Sequence, residues 1–280
     1  MPFSEADLSA ATFRFLANIV YARSRIRLGA DKKSLVAGRL ARHLEARGCT
    51  SFADYCHLLQ RPGAEDEIGT LIDLITTNHT QFFREPAHFE ILARELLPGL
   101  ASGAVAAARP LRLWSAAAAS GEEPYSMAIV LAEQARHQPG FAWEVHATDI
   151  SRRMLDRCRL GIYAADKARL PDPGLLPRYF RKGIGSRAGC VRLKPEIRRQ
   201  VRVEHVNLFQ PDYPVPRGLD VVFCRNVMIY FDAESRQELV GRLFDQLAPG
   251  GYLFVGHAES LLGLTHRFET GRPGVYRRPA

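Results

Sequence analysis

The chain has 280 residues, 46% hydrophobic and 24% charged, enough to bury a full core in one large domain or two smaller ones. No apolar stretch approaches the roughly 18 residues of a membrane span, and Glu5, Asp7 and Arg14 fall where a secretion signal needs continuous apolar sequence, so no membrane insertion and a cytoplasmic location are expected. The net charge of +8 is uneven: residues 1–61 carry 10 basic and 5 acidic side chains, 62–151 carry 5 and 12, and 152–202 carry 15 and 4. Two basic surfaces follow, either solvated faces or docking sites for an acidic macromolecule.

In chain order, residues 7–28 and 35–47 place leucine, isoleucine, valine and phenylalanine at helical spacing with arginines between them, which predicts an all-helical first third. A third periodic segment runs from 67 to 85 and breaks before Pro86, and a helix over about 87–97 ends at Pro98 and Gly99. The alanine-rich stretch 98–110 is expected to be a linker. The division expected is a helical domain over 1–90, a linker over 91–110 and a second domain over 111–280. In this second domain the pattern becomes strand (111–115), helix (122–136, Pro124 in its first turn) and strand (143–150), continuing as strand, helix, strand over 219–224, 233–247 and 251–257. Such alternation predicts an α/β domain with a parallel, Rossmann-like sheet. Residues 161–205, rich in proline, glycine and arginine, break the rhythm and predict an inserted small antiparallel β subdomain. The five cysteines (49, 56, 158, 190, 224) are odd in number and form no close pairs, so they are expected as reduced thiols. The histidines are read as scattered, and no metal is expected.

"SAAAASGEEPYS" (115–126) sits at a strand-to-helix turn, where an α/β sheet binds a nucleotide-like ligand. Gly121 lets the backbone approach the ligand, Glu122 and Glu123 open the helix, and Asp149 closes the next strand where a carboxylate can accept from both ribose hydroxyls. A Gly-x-Gly-x-x-Gly fingerprint is absent, and acidic residues at this turn would repel a pyrophosphate. A cationic nucleoside without phosphate fits better, and S-adenosylmethionine, with its sulfonium and ammonium groups, has that chemistry.

Six strings then resemble, in order, the motifs of CheR-type chemoreceptor (methyl-accepting chemotaxis protein) glutamate methyltransferases: "TTNHTQFFRE" (76–85), "SAAAASGEEPYS", "ATDIS" (147–151), "VNLF" (206–209), "CRNVMIYFD" (224–232) and "GGYLFVGHAES" (250–260). The resemblance implies an S-adenosylmethionine-dependent methyltransferase sheet behind an N-terminal all-helical receptor-docking domain. It implies that Asn78, Thr80 and Arg84 reach the cofactor, that a glutamate of the Glu122–Glu123 pair meets its amino-acid end, and that Asp149 holds the ribose. Asn207 and Leu208 would lie beside the adenine, and Arg225 with Asn226 would line the pocket floor near the methyl group. Arg84 and Tyr230 would place the incoming carboxylate as the catalytic pair. Ala119, Ser120 and Ala258 depart from the usual family residues by small-for-small changes.

The implied activity is methyl transfer from S-adenosylmethionine to receptor glutamates, leaving S-adenosylhomocysteine. The partners are receptor methylation helices, met by Arg14, Arg23, Arg25, Arg27, Arg39 and Arg42, and a receptor C-terminal pentapeptide captured on an exposed edge near Cys190 to Leu193. Two rival readings are a nucleic-acid methyltransferase and a cofactor-binding regulator without turnover. The first lacks an Asn/Asp-Pro-Pro-Tyr/Phe-like stretch for a flipped base, so no nucleic-acid partner is expected.

Overall fold

The computed structural model describes residues 3–102 and 108–280. Two compact units emerge: Met1–Thr77 with Tyr230–Ser235, and Asn78–Ile229 with Arg236–Ala280. Residues 78–90 therefore pack with the second unit, not with the helical one as the 1–90 division expected.

The first unit contains α1 (Ala10–Ser24), α2 (Lys33–Ala46), α3 (Phe52–Leu59) and α4 (Glu65–Ile75). Phe13, Leu16, Val20, Val36, Leu40, Leu44, Phe52, Tyr55 and Leu71 fill its core. α3, which the helical-spacing reading passed over, is only eight residues long and is nucleated by a capping box between Ser51 and Asp54. The buried Glu67 of α4 accepts from His43 on α2 and from Arg47 just after it; burial alone would raise its pKa, but Arg47 and His43, helped by Tyr55, outweigh it and hold it low. Arg39 donates to the Ile75 and Thr76 carbonyls, so it caps the C-terminus of α4 where the helix dipole favours a cation. It is thereby removed from the expected docking face. The segment 230–235 is tied in by the Tyr230 carbonyl, which accepts from the Arg27 amide (2.9 Å), and by Asp232, which accepts from the Tyr21 hydroxyl (2.6 Å).

The predicted helix over 67–85 stops at Ile75, because Thr76 turns extended at ψ 140°. Residues 76–85 are irregular. Helical structure resumes as α5 (Pro86–Ile91), a π turn (Leu92–Leu96) and α6 (Leu97–Ser102), which corrects the linker expectation: alanine and leucine favour helix here, and Pro98, inside the continuous helical run, follows directly on the π turn that widens the ladder. The rest of that predicted linker, 103–107, lies outside the described residues.

Seven strands form the main sheet of the second unit: β1 (Leu111–Ala116), β2 (Trp143–Asp149), β6 (Val201–His205), β7 (Leu219–Cys224), β8 (Leu247–Phe254), β9 (Glu269–Arg272) and β10 (Val275–Arg277). Their order is β6-β2-β1-β7-β8-β10-β9, parallel from β6 through β8 and antiparallel at β10 and β9. The chain winds outward from β1 through β2 to β6, then returns to the other side at β7. The gap between β1 and β7 is thus the topological switch point, where the carboxyl ends of strands leave a crevice for a ligand.

β3 (Ile162–Ala164), β4 (Phe180–Lys182) and β5 (Cys190–Leu193) make a separate antiparallel sheet in the order β3-β5-β4. The expected insert is present but smaller than 161–205, because Val201–His205 belongs to the main sheet. Its exposed charges are those of an edge strand, where Arg202 pairs with Glu144 on β2 (3.0 Å). A second difference concerns Cys190–Leu193, which is paired on both sides and so offers no free edge.

Candidate active site

Side chains with left-handed backbone gather at this crevice. Among the described residues, six non-glycine positions have positive φ: Arg25, Phe83, Glu85, Ala117, Ala119 and Asn226. All but Arg25 lie in the 78–85 segment or in the loops after β1 and β7. Such conformations cost of order 1–3 kcal/mol each and persist where surrounding structure enforces them, which is the pattern of a functional site.

The loop after β1 alternates left-handed at Ala117 (φ 73°), Ala119 (φ 47°) and Gly121 (φ 101°) before the helix Glu122–His137 begins. Glycine is required at 121 twice over, since a Cβ there would also meet Cys158 Sγ at 2.6 Å. Asp149, at the end of β2, accepts from the Ala119 amide through Oδ2 and from the Ser151 amide through Oδ1, both at 2.8 Å. These two amides fix its rotamer at the carboxyl end of β2.

The two glutamates that sequence could not separate are now distinguished. Glu123 is fully engaged inside the protein: it accepts from the Ser115 hydroxyl (2.7 Å) and pairs with Arg225 (3.2 Å). Glu122 accepts from the Ser120 hydroxyl (2.6 Å), and among the described residues no cationic side chain lies within ion-pair distance of it. Burial pushes both carboxyls up; at Glu123 Arg225 opposes this, while the negative charges of Glu85 and Glu259 add to it. A cationic ligand would give Glu122 the counter-charge that Glu123 already has.

Arg225 departs from its expected place on the pocket floor. Its side chain is 0% exposed, pairing with Glu85 (2.9 Å) and Glu123, donating to the Arg84 carbonyl, and lying over the rings of Phe89 and Phe223. It is a strut that ties the 78–85 segment to β7 and to the Glu122–His137 helix. Arg84 itself lies between left-handed Phe83 (φ 52°) and Glu85 (φ 57°), with its guanidinium on the His79 carbonyl (2.9 Å). Asn78 and Thr80 precede it on the same half-buried segment. Asn207 and Leu208 follow β6: the Asn207 side chain accepts from the Phe209 amide (3.0 Å), and the Leu208 carbonyl accepts from the Tyr213 hydroxyl. Tyr230 is held in the first unit.

Two carboxylates that the sequence reading did not single out organise the loop after β7. Glu259, 7% exposed, accepts from four backbone amides: Asn226 (2.6 Å) and Gly256 (2.7 Å) on Oε2, Met228 (2.7 Å) and Ile229 (3.3 Å) on Oε1. Glu85 holds the Asn226 side chain (3.2 Å) along with Arg225. Their only sequence signal is that Glu85 ends the string "TTNHTQFFRE" and Glu259 lies within "GGYLFVGHAES".

Fold and site together define an α/β domain whose switch-point crevice is lined by acidic side chains rather than phosphate-binding amides. The model of the CheR methyltransferase all-alpha domain matches residues 11–76 and that of the CheR methyltransferase SAM binding domain matches residues 78–274; the chain belongs to the CheR methyltransferase family and is an S-adenosylmethionine-dependent methyltransferase. It is 40% identical over 269 residues to the chemotaxis protein methyltransferase of Escherichia coli (strain K12), spanning 96% of this chain and 91% of that one. It is 37% identical over 265 residues to chemotaxis protein methyltransferase 2 of Pseudomonas aeruginosa, spanning 94% and 91%.

Proposed function

We propose that this enzyme transfers the methyl group of S-adenosylmethionine to glutamate side chains of chemoreceptor cytoplasmic domains, forming methyl esters, and that it works in the cytoplasm. The observation that carries the site assignment is the half-buried carboxylate Glu122, which has no cationic partner among the described residues, beside Asp149 at the switch point. When bound, S-adenosylmethionine supplies an electrophilic sulfonium methyl group. Asp149 would accept from the ribose hydroxyls, Glu122 would receive the amino-acid ammonium, and Asn207 and Leu208 would flank the adenine. Asn78, Thr80 and Arg84 would hold it from their segment.

The substrate carboxylate has an ordinary pKa of about 4.3, so it is ionised at neutral pH and needs no general base. The ionised oxygen would take up the methyl group that the cofactor supplies. No proton moves. The side chains therefore act by orientation and by excluding water: Arg84 and Tyr230 are assigned to placing the carboxylate, a role taken from the family resemblance, while Arg225 and Asn226 act from behind by fixing the loop.

Receptor helices rich in carboxylates are drawn to Arg14, Arg25, Arg27 and Arg42, which are all exposed in the first unit. For a receptor C-terminal peptide we favour the outer edge of β4, one of the two edge strands of the small sheet, because exposed Arg181 and Lys182 there can meet a terminal carboxylate. Incubation with methyl-labelled cofactor and receptor membranes tests the reading: base-labile label in the receptor supports it, and label confined to nucleic acid, or none, rejects it. Asp149→Ala should lower cofactor affinity by roughly 10-fold to 150-fold, the loss of charged hydrogen bonds worth about 1.5–3 kcal/mol.

A further inference from the structure

Glu85, His88 and His257 bring one potential ligand atom each to within 4.8 Å of one another. Glu85-Pro86-Ala87-His88 is a Glu-x-x-His spacing, passed over when the histidines are read as scattered; at the start of α5 it puts Glu85 Oε2 and His88 Nδ1 3.5 Å apart. The edges of a tetrahedral zinc site with bonds of about 2.0–2.1 Å are about 3.3 Å long, so this pair already has ligand spacing. His257 stands beside His88, ring centroids 5.0 Å apart, and is exposed, so its side chain can turn to complete the set.

A second observation points to a ligand independently. His88 is 2% exposed, and its buried Nδ1 has no hydrogen-bond partner. Buried polar atoms are normally satisfied, and this one faces the Glu85 carboxylate. Gly274 backs the other ring nitrogen, and any larger residue there would bring a Cβ within 3.1 Å of Nε2. The charge balance favours a cation as well: among the described residues Arg225 is the one lysine or arginine paired with Glu85 and Glu123, and the negative charge of Glu259 also acts on Glu123.

We propose that Glu85, His88 and His257 form a site for a zinc-class divalent cation, with His257 as the solvent-side ligand and water in the fourth position. Two neutral imidazoles and one carboxylate are a donor set that zinc accepts with an open position. The cation would share Glu85 with Arg225 and Asn226, which the same carboxylate now holds. Binding would therefore loosen the grip on the segment carrying Arg84 and slow methyl transfer, a consequence that rests on the methyltransferase reading, whereas binding itself does not.

The test uses the full-length, metal-free chain. Calorimetric titration with zinc chloride, and with cobalt chloride followed through its visible d–d bands, should reveal one site in the wild type that His257→Ala weakens by about tenfold or more. His257 is exposed, so this variant should fold normally, and the comparison subtracts zinc held elsewhere, for example by Cys49 or Cys56. Equal stoichiometry and affinity in the two proteins, or no saturable cobalt spectrum in the wild type, overturns the site. With saturating zinc, methyl transfer should fall in the wild type and not in His257→Ala, while the two are equal without metal. Zinc binding at His257 with unchanged turnover would keep the site and overturn its regulatory consequence.

Discussion

Arginine is used in opposite ways in the two units. In the helical unit, Arg14, Arg25, Arg27 and Arg42 are exposed on α1 and α2 and in the loop after α1, where solvent and salt weaken what they can contribute to stability. In the second unit Arg225 is wholly buried, and its guanidinium joins three chain segments through Glu85, Glu123 and the Arg84 carbonyl. The same functional group supplies long-range attraction in one place and fixed geometry in the other. What differs is water, since a buried pair that loses one partner leaves a desolvated charge.

The comparison breaks first at Arg225. Arg225→Ala strands Glu85 and Glu123 and should cost about 3–5 kcal/mol, read as a large drop in the urea midpoint of the second unit. An effect under 1 kcal/mol would show that water reaches these carboxylates. Next comes Glu259→Gln, which turns an amide donor toward at least one pair of backbone N–H groups. It should cost about 1–3 kcal/mol and lower turnover at saturating cofactor, because Asn226 loses what holds it left-handed. Unchanged turnover would reduce Glu259 to a fold residue.

Smaller effects belong to the helical unit. Reversing Arg14 and Arg42 to glutamate should shift stability by no more than about 0.5 kcal/mol, yet remove much of the salt dependence of activity on receptor. Arg39 does not belong in that set, since Arg39→Glu would put a carboxylate against the α4 carbonyls and lower stability. The smallest signal is acid-linked. The Tyr21 hydroxyl, with help from the Ser235 amide, holds Asp232 at a pKa of about 2, below its ordinary 3.8. A depressed carboxylate contributes stability that is present above the unfolded value and lost as pH falls through the folded one. Urea midpoints should therefore decline less between pH 4 and pH 2 in Asp232→Asn than in the wild type.

Much of this was legible in the sequence because the relevant residues are local. Gly121 and Glu122 open the helix after β1 and Asp149 ends β2, boundaries that hydrophobic patterning locates within one or two residues. The roles of Glu259 and Glu85 were not legible, since the groups they hold lie up to 33 and 172 residues away along the chain and meet them only through the sheet. For the same reason the sequence named both glutamates of the turn without dividing them: the division depends on Arg225, 102 residues beyond Glu123. Strand β6 was misassigned because an edge strand bearing Arg202 and Glu204 has the composition of an exposed insert.

Cofactor calorimetry on Glu122→Gln and Glu123→Gln tests the site assignment most directly. If Glu122 receives the ammonium of S-adenosylmethionine, Glu122→Gln should lose roughly tenfold or more in affinity while staying folded, whereas Glu123→Gln should mainly lose stability. Burial raises the Glu122 carboxyl, so the wild-type affinity should also weaken as pH falls from neutrality and the group takes up a proton, a trend that Glu122→Gln should lack. Full affinity in Glu122→Gln, with the wild-type pH trend intact, would contradict the account.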